Sequence, residues 1–228
     1  MRQRVFGIGL NKTGTTTLAS CLSEIGYKHQ SCRPDLLSFY RKGDVGKIFE
    51  VTDSFESFED WPYPLLYREF YHRYPGAKFI LTRRKSPEIW LSSLMRHSLR
   101  TSPTKHCRLL AYGYSYPHGA EAQHLDIYKR HIGAVEQFFA EQDAADRLLQ
   151  ICWEEGDGWG KLADFLEVPA PDKALPHENV GTRQEQDEAI RAANVQRIRE
   201  QIGLLNPHFT EDQLTAALNS SLEGFQVQ

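Results

Sequence analysis

Residues 4–18 read Arg4-Val-Phe-Gly-Ile-Gly-Leu-Asn-Lys-Thr-Gly-Thr-Thr-Thr-Leu18, and the fold turns on them. After Arg4 the run to Gly9 is apolar and ends in glycine, the pattern of a short buried strand. From Thr15 to Ile25 the apolar residues Leu18, Leu22 and Ile25 recur at helical spacing, which predicts a helix stopped by Gly26. The loop Gly9–Thr17 joins the two. A helix opening inside such a loop offers backbone N–H groups and the positive end of its dipole to an anion. Gly14 lets the backbone come close to a ligand, and Thr15, Thr16 and Thr17 add hydroxyl donors. Lys12 supplies the only full positive charge in the loop.

Outward from this loop, strand and helix patterns alternate. Lys47–Val51 reads as a second strand closing at Thr52-Asp53, and Leu65–Tyr74 as a helix ending before Pro75-Gly76. Ala77–Thr82 is the clearest strand. Ser86-Pro87-Glu88 then combines an N-cap, an N1 proline and an early acid, opening a helix to about Leu99. Residues 106–118 carry no assignable pattern. A long helix over Glu121–Gln142, a strand at Leu148–Trp153 and a helix over Trp159–Leu166 follow. Pro169–Pro176 is proline-punctuated and extended, Gln184–Ile202 is helical, and Thr210-Glu-Asp-Gln213 fits a capping box opening a last helix. The alternation implies an α/β fold of three layers, α/β/α, around a central parallel sheet like that of P-loop nucleotide triphosphatases. The expected organisation is an α/β domain over residues 1–182, with residues 183–228 as its helical C-terminal extension.

The chain has 228 residues, 40% hydrophobic and 25% charged, enough for one well-buried core. A net charge of −3 provides no global basic field for nucleic acid or anionic membrane, so an anion site must be local. No apolar run approaches the ~20 residues of a membrane span. The four cysteines lie far apart without a CxxC pair, which favours thiols and a cytoplasmic location. The nine histidines lack paired metal-ligand spacing, so no metal is expected.

The loop invites comparison with the triphosphatase order G-x-x-x-x-G-K-[ST]. Gly9 and Gly14 reproduce the glycine spacing, but threonine follows Gly14 and the lysine stands ahead of it at position 12. A lysine there sits at the leading edge of the loop, nearer the bond being broken. Asn11-Lys-Thr-Gly-Thr-Thr-Thr-Leu18 resembles the 5′-phosphosulfate loop of sulfotransferases that use 3′-phosphoadenosine 5′-phosphosulfate (PAPS). Phe79-Ile-Leu-Thr-Arg-Arg-Lys-Ser-Pro-Glu-Ile-Trp-Leu-Ser-Ser93 is similar to that family's 3′-phosphate element, an arginine at a strand end and a serine on the next helix. One extra residue precedes Pro87, which makes Arg84 the choice with Arg83 in reserve; Ser93 is the serine, with Ser92 beside it. Softer similarity runs through Val51-Thr-Asp53, Trp61-Pro62, Tyr67–Phe70, Tyr74–Phe79, Trp159–Leu162 and Pro176–Asn179.

The resemblance implies transfer of a sulfonate from PAPS, leaving PAP, to a hydroxyl or amine of a small molecule or glycan. Asn11, Lys12, Thr13, Gly14, Thr15, Thr16, Thr17, Arg84 and Ser93 would hold the nucleotide, and Lys12 would stabilise the leaving oxygen. Asp53 is the first choice of base, because it would end a strand on the ligand side of the sheet. His97, His29 and His118 are weaker candidates, and Arg183 could close over the nucleotide. Trp61, Tyr63, Tyr112, Tyr114 and Tyr116 are candidates for shaping the acceptor pocket. A homodimer is possible, the polar 184–202 helix being one candidate contact. The alternatives are a P-loop kinase or hydrolase and an inactive nucleotide-binding module.

Overall fold

The computed structural model describes residues 2–102, 107–176 and 188–223. Arg183 and the His177–Asn179 segment lie outside them. The chain divides into two compact units, one of Met1–Lys85 with Arg130–Gly181, the other of Ser86–Lys129 with Thr182–Gln228. The C-terminal helices thus share a unit with Ser86–Lys129.

The first unit holds the sheet. In chain order its elements begin β1 (Val5–Gly7), α1 (Thr15–Glu24), β2 (His29–Gln30), α2 (Pro34–Arg41), α3 (Val45–Ser54) and β3 (Ser57–Phe58). They continue with α4 (Tyr67–Arg73) and β4 (Lys78–Thr82). All five strands, the last being β5 (Leu148–Ile151), run parallel in the order β2-β3-β1-β4-β5. The central register sets Phe6 opposite Phe58 on one side and opposite Phe79 on the other. Side chains alternate between faces with period two, and this splits the core cleanly. Phe6, Ile8, Phe58, Phe79 and Leu81 pack with α2, α3, α4 and the later part of α7 (Glu121–Glu141). Val5, Ile80 and Ile151 face the other way, against α1 and α8 (Trp159–Leu166). Phe6 anchors the first face, its ring stacked 4.3 Å from Phe70 and 4.8 Å from Phe58. These helices on both faces give the α/β architecture read from the sequence.

One expected strand is corrected. Lys47–Val51 lies inside helix α3, and on the side of β1 away from β4 the strands are the two-residue β3 and, beyond it, β2. Val, Ile, Phe and Thr favour extended backbone in general. Here, however, the buried residues are Ile48 and Thr52, one helical turn apart.

The second unit contains α5 (Pro87–Leu99), α6 (Arg108–Tyr112), the first part of α7, α9 (Glu188–Leu205) and α10 (Glu211–Glu223). The read caps are present. Ser86 Oγ accepts from the Ile89 N–H at 3.3 Å. Thr210 and Gln213 exchange backbone and side-chain bonds at 2.9 and 3.3 Å. Asn194 of α9 is fully buried, accepting from the Tyr116 hydroxyl at 2.7 Å and donating to the Leu99 carbonyl at 2.9 Å. A buried amide needs such partners to offset its lost hydration.

Candidate active site

Parallel strands deliver their C-terminal ends to one edge of the sheet, and three loops meet there. The first leaves β1. Ile8 N–H still pairs with the Ile80 carbonyl at 2.8 Å, so the chain stays tied to β4 before it turns. Gly9 passes so close to β4 that a Cβ on it would fall 2.1 Å from Thr82 Oγ1 and 2.3 Å from the Thr82 carbonyl oxygen. Lys12 adopts a φ of 69°, rare for a side chain larger than glycine. Gly14, at φ 93°, is the N-cap of α1. Among the described residues no side chain caps that helix, and its first-turn N–H groups and positive dipole end can receive an anion. Trp153 closes over the back of the loop and donates from its indole N–H to the Gly14 carbonyl at 3.2 Å.

The second loop follows β4 and braces the first. The buried Thr13 hydroxyl lies 2.6 Å from the Leu10 carbonyl and 2.6 Å from Thr82 Oγ1. Arg84 Nε donates to the Lys12 carbonyl at 2.7 Å, while its Nη1 donates to Glu154 Oε1 at 2.6 Å. Arg83 pairs with Glu155 at 2.8 Å. From α7, His131 Nε2 lies 2.7 Å from the Ile8 carbonyl and donates to it. Burial lowers the imidazole's proton affinity, which keeps it a neutral donor. The loop is therefore held from several sides in its turned conformation, a prearranged cradle.

The third loop leaves β3 as Glu59-Asp60, residues that the sequence reading passed over. Glu59 is buried and packs against β1 where Gly7 has no side chain: a Cβ there would lie 3.0 Å from Glu59 Cβ. Ser31 Oγ donates to Glu59 Oε1, and His29 Nε2 stands 3.8 Å from the same oxygen. The other imidazole nitrogen, Nδ1, lies 2.8 Å from Ser57 Oγ. Asp60 has a φ of 65° and accepts from the Trp61 N–H at 2.8 Å. Burial, then the charge of Glu59, push its carboxyl up to about 7, against the pull of the Trp61 N–H and Lys12. A signal for this pair existed in the sequence, since adjacent acids before Trp61-Pro62 close the run that contains β3. The missing piece was the strand itself, too short to show periodicity.

Of the sequence-read site residues, Asn11–Thr17 and Arg84 come together at this edge. Thr13, Thr15 and Thr17 are buried and Thr16 is exposed. Asp53 does not join them, and the strand end on which its reading as base rested is corrected to helix. It lies in α3, and its carbonyl accepts from Arg4, the residue that enters β1, at 3.2 Å. That is the N-terminal edge of the sheet. There Arg73 and Tyr74 donate to its carboxylate at 2.6 and 2.7 Å. Partial burial would raise its pKa, but these two bonds and the charges of Arg73 and Arg4 together outweigh that and lower it. Ser93 is buried on α5 of the second unit; its neighbour Ser92 accepts from Arg96 at 2.6 Å. His97 is on the same helix. His118 is buried in the second unit, and burial depresses its pKa to about 4. Among the described residues no three His, Cys, Asp or Glu side chains gather as a metal site would need, and no helix is long and apolar enough to cross a membrane.

A parallel α/β sheet with a helix N-terminus and a lysine in the preceding loop at its C-terminal edge is an arrangement that can receive an anion. The family model of the sulfotransferase domain matches residues 4–184, and the chain belongs to that family. It is also similar to a protein of Aspergillus versicolor called Ava biosynthesis cluster protein M. The two are 28% identical over 214 residues, 76% of this chain and 80% of the relative.

Proposed function

We propose that this protein transfers the sulfonate of PAPS to a hydroxyl or amine of a small-molecule acceptor. The observation that carries the reading is the cradle itself: Lys12 turned to positive φ ahead of Gly14, with the uncapped start of α1 behind it. The groups present fit a phosphosulfate. Backbone N–H groups and the Thr15–Thr17 hydroxyls would hold its oxygens, and the Lys12 ammonium would oppose charge appearing on the bridging oxygen. PAPS supplies the activated sulfonate; the protein supplies position and charge. Arg84 would serve the nucleotide twice, by holding the Lys12 carbonyl and by offering its fork towards the 3′-phosphate. Ser93 enters as a 3′-phosphate ligand through its motif alone. The name of the fungal relative, a biosynthesis cluster protein, is in keeping with a small-molecule acceptor.

The test is nucleotide choice. PAP should bind far more tightly than ADP in calorimetry, and Lys12→Ala should remove sulfonate transfer while circular dichroism and the unfolding midpoint stay those of the wild type. Equal affinity for ADP and PAP would sink the reading. Magnesium-dependent ATP turnover would replace it with a kinase or hydrolase.

A further inference from the structure

Glu59 and Asp60 are two carboxylates at the edge where the phosphate loop lies, and the family match assigns neither a role. Asp60 is fixed by three features. Its positive φ turns the chain sharply as it leaves β3, the Trp61 N–H holds one carboxyl oxygen, and Glu59 behind it is wedged against Gly7. Because β3 pairs in parallel with β1, Asp60 leaves the sheet at the same edge as the loop that carries Lys12. A base for in-line transfer must stand beside the attacking atom, on the open side of the group that Lys12 helps to hold. We propose that Asp60 is the catalytic base that takes the proton of the acceptor, and that Glu59, wedged against Gly7 behind it, is the positioning residue.

The proposal rests on the sulfotransferase reading and deepens it. The acceptor's oxygen or nitrogen forms the new bond to sulfur as the S–O bond to the 5′-phosphate breaks, the electron pair leaving with the phosphate and the acceptor proton passing to Asp60. The surroundings suit the task. An ordinary aspartate is too weak a base to take such a proton near neutrality, whereas a carboxylate with proton affinity near the working pH is well matched. Two charged groups act on Asp60: Glu59 at the end of β3 raises its proton affinity, and Lys12 on the phosphate loop lowers it. Glu59 is in turn held by the Ser31 hydroxyl and faced by His29 of β2.

A nucleotide phosphate placed beside Lys12 adds negative charge near Asp60, so PAP binding should draw a proton onto it at about pH 7. Calorimetry of PAP binding in buffers of different ionisation enthalpy reads that proton directly. Wild type should take up a measurable fraction of a proton, Asp60→Asn should bind PAP without this uptake, and Asp60→Glu should restore it. Breakdown of radiolabelled PAPS with water as the acceptor should slow ~100-fold or more in Asp60→Asn. In Glu59→Gln the midpoint of the rate's acid limb should move to lower pH, because a raising charge has gone. If wild type fails to bind PAP, the sulfotransferase reading falls whatever Asp60 does. If wild type binds PAP, the base assignment is overturned by proton uptake unchanged in Asp60→Asn, or by PAPS breakdown within about threefold of wild type across the pH range.

Discussion

Asp53 precedes β3 and Asp60 follows it, and so they stand at opposite edges of one sheet. Both are aspartates near a cation, yet their proton affinities move in opposite directions. Asp53 has a half-exposed side chain and two donors, Arg73 and Tyr74, which favour its charged form. Asp60 is more enclosed, has one backbone donor and shares its site with Glu59. The difference teaches that residue type and a nearby cation are a poor guide to a base. Solvent access and the count of donors decide whether a carboxylate is a permanent anion or a proton acceptor.

The largest test of this contrast sets a glycine of the loop after β1 against one on the helix that carries Asp53. Gly9→Ala at the phosphate edge should cost about 3 kcal/mol or more in denaturant unfolding, since its Cβ would strike the Thr82 backbone, which cannot rotate aside. Gly46→Ala, in the first turn of α3, meets nothing closer than 3.5 Å and should be neutral or stabilising by about 0.5–1 kcal/mol. Similar costs at both positions would break the comparison.

A smaller effect separates the carboxylates by stability. The carboxyl of Asp60 rises from 3.8 to about 7 on folding. Its contribution is complete below 3.8 and is lost as pH rises through 7, where the folded protein must hold an unwelcome charge. Asp60→Asn should therefore stabilise the protein at about pH 8 by roughly 2 kcal/mol, allowing for partial exposure, with no gain at about pH 4. Asp53 has the opposite sign: its lowered pKa contributes stability above the ordinary 3.8, lost as pH falls through that range. Asp53→Asn should show the smallest effect, a loss of about 1 kcal/mol or less at neutral pH with turnover within about twofold of wild type. A large loss of turnover there would return Asp53 to the site.

The strand–loop–helix order around Gly9–Thr17 was legible in the sequence because its information is local. A strand, two glycines, a lysine and a helix start follow one another without interruption from Val5 to Leu18. The strand at Ala77–Thr82, the helix capped by Ser86 and the capping box at Thr210 were legible for the same reason, since a cap or a period is written within a few residues. The β3 edge was not. Two residues carry no periodicity, and the β-branched run before it was folded into α3 by the packing of Ile48 and Thr52.

The sequence by itself determined that a strand, a loop carrying Lys12 and Gly14, and a helix follow in that order, because steric and dipolar rules act between neighbours in the chain. Only the tertiary structure decided that Glu59 and Asp60 share the loop's edge of the sheet while Asp53 stands at the other. That choice depends on strand pairing across residues distant in sequence. The proton affinity of Asp60 followed from it, because burial and the nearness of Glu59 and Lys12 exist only once the sheet is assembled.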